Sequence, residues 1–188
     1  MKAQTTPLDG LLHFKEMTWF EDHRGAFGRL YCVDSFAKVK APFSIRQINL
    51  SRTTAKGALR GLHFQLGAAA EDKVVRCLKG RIFDVAVDLR AGSATYGKWY
   101  GVELSQQNPE ALLVPKGCAH GFQALSDDVE MLYLMSNDYA PDQEGGLHYA
   151  CPEVAIPWPL PVTDLSQRDA VHPCLPDLDP ILLPEVAV

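Results

Sequence analysis

The chain has 188 residues, close to half of them apolar, and a formal net charge of −5. That supplies one domain with a substantial core, so the chain is globular rather than disordered. The acidic balance excludes a nucleic-acid binder that relies on overall phosphate attraction, while a local basic pocket can still take one small anion.

The N-terminus lacks the continuous apolar core of a signal peptide, and no apolar run is long enough to span a bilayer. A soluble, cytoplasmic chain is expected. Five widely spaced cysteines (Cys32, Cys77, Cys118, Cys151, Cys174) fit neither a zinc-ligand pattern nor a disulfide framework. They read as small buried hydrophobes in a reducing compartment.

In chain order, residues 8–14 read as a first short strand. Residues Phe20–Arg29 turn at Arg24-Gly25, Leu30–Val33 is extended, and Ser35–Val39 forms a helical turn. Residues 44–51 alternate, with Ile45, Gln47 and Asn49 on one face and Arg46, Ile48 and Leu50 on the other. Strands follow at 58–65 and 74–79, and Gly80-Arg81 leads tightly into 82–89. There Phe83, Val85, Val87 and Leu89 share one face, and Ile82, Asp84, Ala86 and Asp88 the other. Residues 98–104 and 111–115 are strands around a turn at Gln106–Pro109. Residues 120–125 and 130–136 pair as a hairpin across Ser126–Asp128, and Ser166 caps a short helix over 166–170. Many short strands with few helical patterns indicate an all-β sandwich or barrel. No repeat or second domain is visible. The expectation is one domain over residues 1–188, with 174–188 a tail or partner-facing arm.

The chemistry concentrates in Gly57-Ala-Leu-Arg-Gly-Leu-His-Phe-Gln65, where Arg60, His63 and Gln65 interrupt an apolar strand. Buried polar groups need partners, so these three and nearby Lys73 point to an internal network or a ligand cavity. Pro115-Lys-Gly-Cys-Ala-His120 has the Pro-x-Gly spacing that resembles cupin jelly rolls, in which a histidine reaches the barrel mouth. Metal-binding cupins carry a His-x-His pair; His63-Phe-Gln65 has one histidine, so no metal site is expected. His13, His23, His148 and His172 have no partner in the sequence and read as structural or exposed. Without a metal, His63 and His120 suit acid–base work, Lys73 an oxyanion, and Tyr133 a returning proton. That set fits proton abstraction beside a carbonyl, as in an isomerase or epimerase.

Arg60-Gly-Leu-His-Phe-Gln65, Phe83-Asp-Val-Ala-Val-Asp-Leu-Arg90, Gly97-Lys-Trp with Gly101-Val-Glu-Leu-Ser105, Pro115-Lys-Gly-Cys-Ala-His-Gly-Phe122 and Tyr139-Ala-Pro141 together resemble one family. It is that of the dTDP-4-keto-6-deoxyglucose (dTDP-4-dehydrorhamnose) 3,5-epimerases of rhamnose synthesis. The resemblance implies an all-β, cupin-like jelly-roll sandwich with a few short helices. It further implies a homodimer, a nucleotide-diphosphate sugar substrate, and no cofactor or metal. By the same resemblance His63 is the base, Asp169 its orienting carboxylate, Lys73 the partner of the enolate oxygen, and Tyr133 the acid. Arg24, Gln47, Asn49, Arg60 and His120 match groups that contact the sugar and diphosphate. Phe20, Phe27 and Tyr139 match groups that enclose the nucleotide, and Glu144 and Arg168 further binding positions.

The chain departs from the family pattern at several points: Arg29 replaces a glutamate, Glu71-Asp72-Lys73 a Gln-Ala-Lys-like run, Leu134 a lysine, and Arg168 another lysine. A guanidinium cannot accept the thymine ring N–H, so Arg29 implies altered base recognition, relaxed or shifted toward CDP- or GDP-linked sugars. The alternatives are a mono-epimerase acting at carbon 3 or 5 alone, a metal-dependent cupin oxygenase, and a non-catalytic sugar-nucleotide binder. Strict alternation sets Arg60 and His63 on opposite faces, and a bulge at Gly61 brings both to one cavity.

Overall fold

The alternation of residues 82–89 decides the architecture, because both of its faces are buried. Ile82 and Ala86 point into a central core, while Val85, Val87 and Leu89 join a second cluster on the far side. A strand covered on both faces must sit inside a layered structure. The coordinates, a computed structural model, describe residues 2–16, 18–38, 43–108 and 110–183.

In chain order the elements are β1 (Lys2–Thr5), β2 (Leu12–Glu16), β3 (Trp19–Asp22), β4 (Gly25–Gly28) and helix α1 (Val33–Lys38). Next come β5 (Gln47–Thr53), β6 (Leu59–Gln65), β7 (Lys73–Lys79), β8 (Arg81–Asp88) and β9 (Trp99–Ser105). The series ends with β10 (Ala111–Val114), β11 (Cys118–Ala124), β12 (Val129–Met135) and β13 (Glu144–Gly146). One sheet runs β1-β2-β10-β7-β12-β5 and the other β13-β6-β11-β8-β9; β3 and β4 form a separate hairpin. The two larger sheets face each other as an antiparallel jelly-roll sandwich, so the fold class expected from the sequence holds.

Three apolar clusters hold it together. Between the sheets lie Leu8, Leu11, Val75, Cys77, Leu112, Phe122 and Met131, among others. The outer face of the five-stranded sheet is covered by irregular chain carrying Leu147, Val154, Ile156 and Ile181, with Leu175, Leu178 and Leu183 packed against them. Residues 174–183 thus lie on their own chain, and Ile181 bridges Arg90; 184–188 fall outside the described residues. The outer face of the six-stranded sheet is closed by Phe36 of α1 with Phe43 and Tyr31, whose hydroxyl donates to the Phe43 carbonyl.

Several sequence expectations need correction. Strands β11 and β12 do not pair: β11 lies between β6 and β8, and β12 between β7 and β5. Their link crosses from one sheet to the other, as does Gly80 between β7 and β8. Both links meet at one end, where Ser126 Oγ accepts the Arg81 N–H at 3.0 Å. Phe122 and Met131 therefore approach the core from opposite walls, which a hairpin would not allow.

The strand read over residues 8–14 is β2 and begins at Leu12, because Thr6 bonds the carbonyls of Leu8 and Leu11 and folds both leucines inward. The chain at 30–32 is not extended strand; α1 starts at Val33, and Val39 lies outside the described residues. Pro109, at the end of the expected 106–109 turn, lies outside them too. The helix read at 166–170 is a 3-10 turn over Asp169–Val171, with Ser166 Oγ accepting the Asp169 N–H at 3.0 Å. Strands β1 and β13 had no sequence reading.

The bulge expected at Gly61 is present. His120 faces His63 and Phe122 faces Arg60, so Gly121 alone opposes Gly61 and Leu62. The Gly61–Leu62 peptide is cis, and Gly61 has a φ of 117°. A Cβ on Gly121 would meet Arg60 O at 2.5 Å and Leu62 Cδ2 at 2.9 Å. We predict that Gly121→Ala destabilises the fold by about 1–3 kcal/mol, the usual range for overpacking. Urea unfolding should show a lower midpoint with unchanged slope.

Candidate active site

The bulge places Arg60 and His63 on the inner wall of the five-stranded sheet, where they meet side chains from the opposite sheet across a cavity of about 540 Å³. A volume of that order suits a small organic ligand. His63, His120 and Arg60 line one wall; Tyr133, Lys73 and Asn49 line the other, while Asp169 and Arg168 arrive from the C-terminal segment.

Asp169 is the least exposed acid at the mouth, at 3%. Its Oδ1 lies 2.8 Å from His63 Nε2, and its Oδ2 accepts the Gly61 N–H at 3.1 Å. Burial alone would raise the Asp169 carboxyl, but the bonds from His63 and Gly61 outweigh it and hold the group well below the usual range. An ionised Asp169 fixes the His63 proton on Nε2 and leaves Nδ1 as a proton acceptor.

Tyr133 stands on β12, across the sandwich from His63. Burial pushes its phenol up to about 12, partly opposed by Ser51, whose Oγ lies 3.2 Å from the hydroxyl. It stays a neutral donor at ordinary pH. Lys73, 7% exposed, donates to the His63 carbonyl at 3.4 Å and lies 3.4 Å from Glu71 Oε1. Burial raises the Glu71 carboxyl, and the Lys73 charge partly offsets that. His120 Nε2 lies 2.9 Å from Asp84 Oδ1 inside the core, and its ring meets Tyr133 edge-on at 6.2 Å.

At the rim, Arg168 Nη1 and the Tyr139 hydroxyl both donate to Glu144 Oε2, at 2.7 and 2.8 Å. Arg168 Nη2 comes within 3.3 Å of His63 Nε2. Arg60 is braced by Thr53 Oγ1 and the Arg52 carbonyl, both at 2.9 Å. A base, a phenol on the opposite wall, an ammonium and two guanidinium groups can move a proton across a bound anion.

Ten of the fifteen residues singled out from the sequence therefore line one cavity: His63, Lys73, Tyr133, Asp169, Asn49, Arg60, His120, Tyr139, Glu144 and Arg168. Phe20, Arg24, Phe27, Arg29 and Gln47 do not line it within this chain. The first four lie on or beside the β3–β4 hairpin, with Phe20 and Phe27 facing each other at 66% and 70% exposure. Arg24 is folded onto Asp22 Oδ2 at 2.6 Å.

The sequence reading missed Ser51, Thr53 and Asp84, although an acid on the inward face of β8 is itself a signal for a buried partner. It also misjudged His172, whose ring packs edge-on to His63 at 5.7 Å, with Nε2 3.7 Å from Asp169 Oδ1. Burial first, and then the His63 charge, hold His172 below its ordinary value. His63, Asp169 and His172 bring three potential metal donors within 4.8 Å, but Asp169 Oδ1 is already engaged by the imidazole.

Comparison with known proteins follows the same lines. The family described as dTDP-4-dehydrorhamnose 3,5-epimerase matches residues 5–177. A protein of that name from Sinorhizobium fredii is 43% identical over 160 residues, which are 85% of this chain and 82% of its own. Another, from Pseudomonas aeruginosa, is 40% identical over 181 residues, covering 95% and 98% of the two chains. The solved structure of the Legionella pneumophila dTDP-6-deoxy-D-glucose-3,5-epimerase with dTDP-4-keto-L-rhamnose superposes with a TM-score of 0.89 at 37% identity. That likeness covers 95% of this chain and 94% of the other.

Because the folded state holds Asp169 below its unfolded value, its stabilising contribution is complete above the unfolded carboxyl range of about 4 and declines as pH falls below it. Asp169→Asn removes the charge with little change of volume. The stability gap between wild type and Asp169→Asn should therefore be widest near neutrality and shrink on acidification below about pH 4, read by urea unfolding across pH.

Proposed function

The chain belongs to the dTDP-4-dehydrorhamnose 3,5-epimerase family, and from that membership we propose that it inverts carbons 3 and 5 of a dTDP-linked 4-keto-6-deoxyhexose. The observation that carries this reading is His63 and Tyr133 on opposite walls of one cavity, with Lys73 between the sheets beside them.

The keto group at carbon 4 acidifies the hydrogens on carbons 3 and 5. His63 Nδ1 removes one of them, and the positive charge on the ring is stabilised by Asp169. The electron pair moves onto the ketone oxygen, where the Lys73 ammonium stabilises the enolate. Tyr133 then delivers a proton to the opposite face of the same carbon, which inverts it. Arg60 and Asn49 hold the sugar diphosphate, and Tyr139, Glu144 and Arg168 border the nucleotide end. No step calls for a redox or metal cofactor. Five free cysteines, among them three buried ones, suit a reducing cytoplasm.

The hairpin residues fit a homodimer. The β3–β4 hairpin follows β2 at one side of the six-stranded sheet, whereas Asn49 and Ser51 of the cavity lie on β5 at the other edge. On that edge Ile48 and Leu50 are 63% and 50% exposed, an apolar strip suited to a second copy. In this reading the hairpin of one copy reaches the cavity of its partner, so that Phe20, Phe27, Arg24 and Arg29 close over the nucleotide. Leu50→Glu should then produce monomers in sedimentation and lower kcat/KM at least tenfold; a fully active monomer would remove the shared-site reading.

The deciding experiment is incubation with dTDP-4-keto-6-deoxyglucose in heavy water, followed by NMR. Deuterium at carbons 3 and 5 supports double inversion, and label at one carbon points to a mono-epimerase. His63→Ala should abolish label at both positions. Tyr133→Phe should still exchange deuterium through His63 into recovered substrate, while epimer formation falls by about 10²–10⁴-fold. Unimpaired exchange in His63→Ala would refute the assignment of the base. Parallel binding of dTDP, CDP and GDP tests whether Arg29 shifts base preference.

A further inference from the structure

On the outer side of the five-stranded sheet, away from the cavity, two cysteines 23 positions apart in the chain come together with an acid. Cys151, Glu153 and Cys174 each offer a donor atom, and these atoms lie within 4.8 Å of one another. Cys151 and Glu153 share a tight turn closed by Ala155 N–H to the Cys151 carbonyl at 2.9 Å, and Cys151 Sγ reaches Glu153 Oε2 at 3.1 Å. Cys174 is set against them by the His148 N–H, which bonds the Pro173 carbonyl at 2.9 Å. The Leu175 N–H donates to Cys151 Sγ at 3.2 Å, which ties the second segment to the first at the sulfur itself.

Two thiols and a carboxylate from two segments make a donor set for a soft or borderline dication. Glu153 and Asp177 both add negative charge around Cys174. The alternative use of the pair is a redox-active disulfide. Against it, Cys151 is 2% exposed, so an external oxidant or thiol has no access to its sulfur.

We propose that Cys151, Glu153 and Cys174 bind a thiophilic divalent cation of the zinc class, with water in the fourth tetrahedral position. Binding replaces the two thiol protons, so two protons leave for each ion taken up. The ion clasps the turn after β13 to the segment that carries Arg168 and Asp169, six and five residues before Cys174. It lies outside the reaction and acts on the anchoring of that segment.

The test uses the full-length protein, reduced and stripped of metal, titrated with Co²⁺. One equivalent should bind with a thiolate-to-metal charge-transfer band, be displaced by Zn²⁺, release two protons, and raise the melting temperature. Cys174→Ser should lose the band and the thermal shift while keeping basal epimerase activity. Glu153→Gln, at an exposed position, should keep the band but weaken binding by at least the roughly tenfold that even a change outside the ligand set costs. Three outcomes overturn the proposal. One is Co²⁺ binding without a thiolate band, which would place the ion at His63, Asp169 and His172. A second is binding unchanged in Cys174→Ser. The third is a Cys151–Cys174 disulfide in the protein as purified.

Discussion

One carboxylate ties the molecule together at its working end. Asp169 meets His63 with one oxygen and the backbone of the bulge at Gly61 with the other. The second bond matters as much as the first, because the bulge rotates His63 and Arg60 onto the same wall. An acid that bonded only the imidazole would orient a ring whose strand stayed free to relax. By holding both, Asp169 links the direction of the ring to the shape of the strand beneath it. The glycines at 61 and 121 supply the space, since neither position has room for a Cβ.

The opposite wall contributes a different kind of order. Tyr133 is kept protonated by burial, whereas Lys73 shares its dry surroundings with Glu71. A buried lysine without a counter-charge shifts toward its neutral form. Glu71 sets a carboxyl group 3.4 Å from the Lys73 amine, and burial raises that carboxyl. The cost is a second ionisable group in a region of low dielectric. The cavity thus meets an anionic substrate with a partly balanced electrostatic field.

Much of this was legible in the amino-acid sequence, and what was hidden has physical causes. Alternation in β8 assigned both faces correctly because each is covered and each has a consistent apolar pattern. Polar residues inside the β6 strand pointed to the cavity for the same reason. The crossing between β11 and β12 was not readable: a short polar link looks alike whether its strands pair or arch between sheets. Three residues with two glycines, as in β13, carry no periodicity. His172 depends on contacts to His63 and Asp169, and only the path of the chain brings the three together. Cys151 and Cys174 follow no ligand spacing, so their meeting too is a property of the fold.

The dyad joins positions 106 residues apart in the chain. Chains are synthesised from the N-terminus at about 5–20 residues per second, and their early parts begin folding first. Nearly all of the β-sandwich precedes Asp169, so the imidazole exists for some time on a ribosome-bound chain with no acid to orient it. The pair is therefore completed by chain that follows the sandwich, and a nascent or prematurely ended product carries the cavity with the His63 ring unheld.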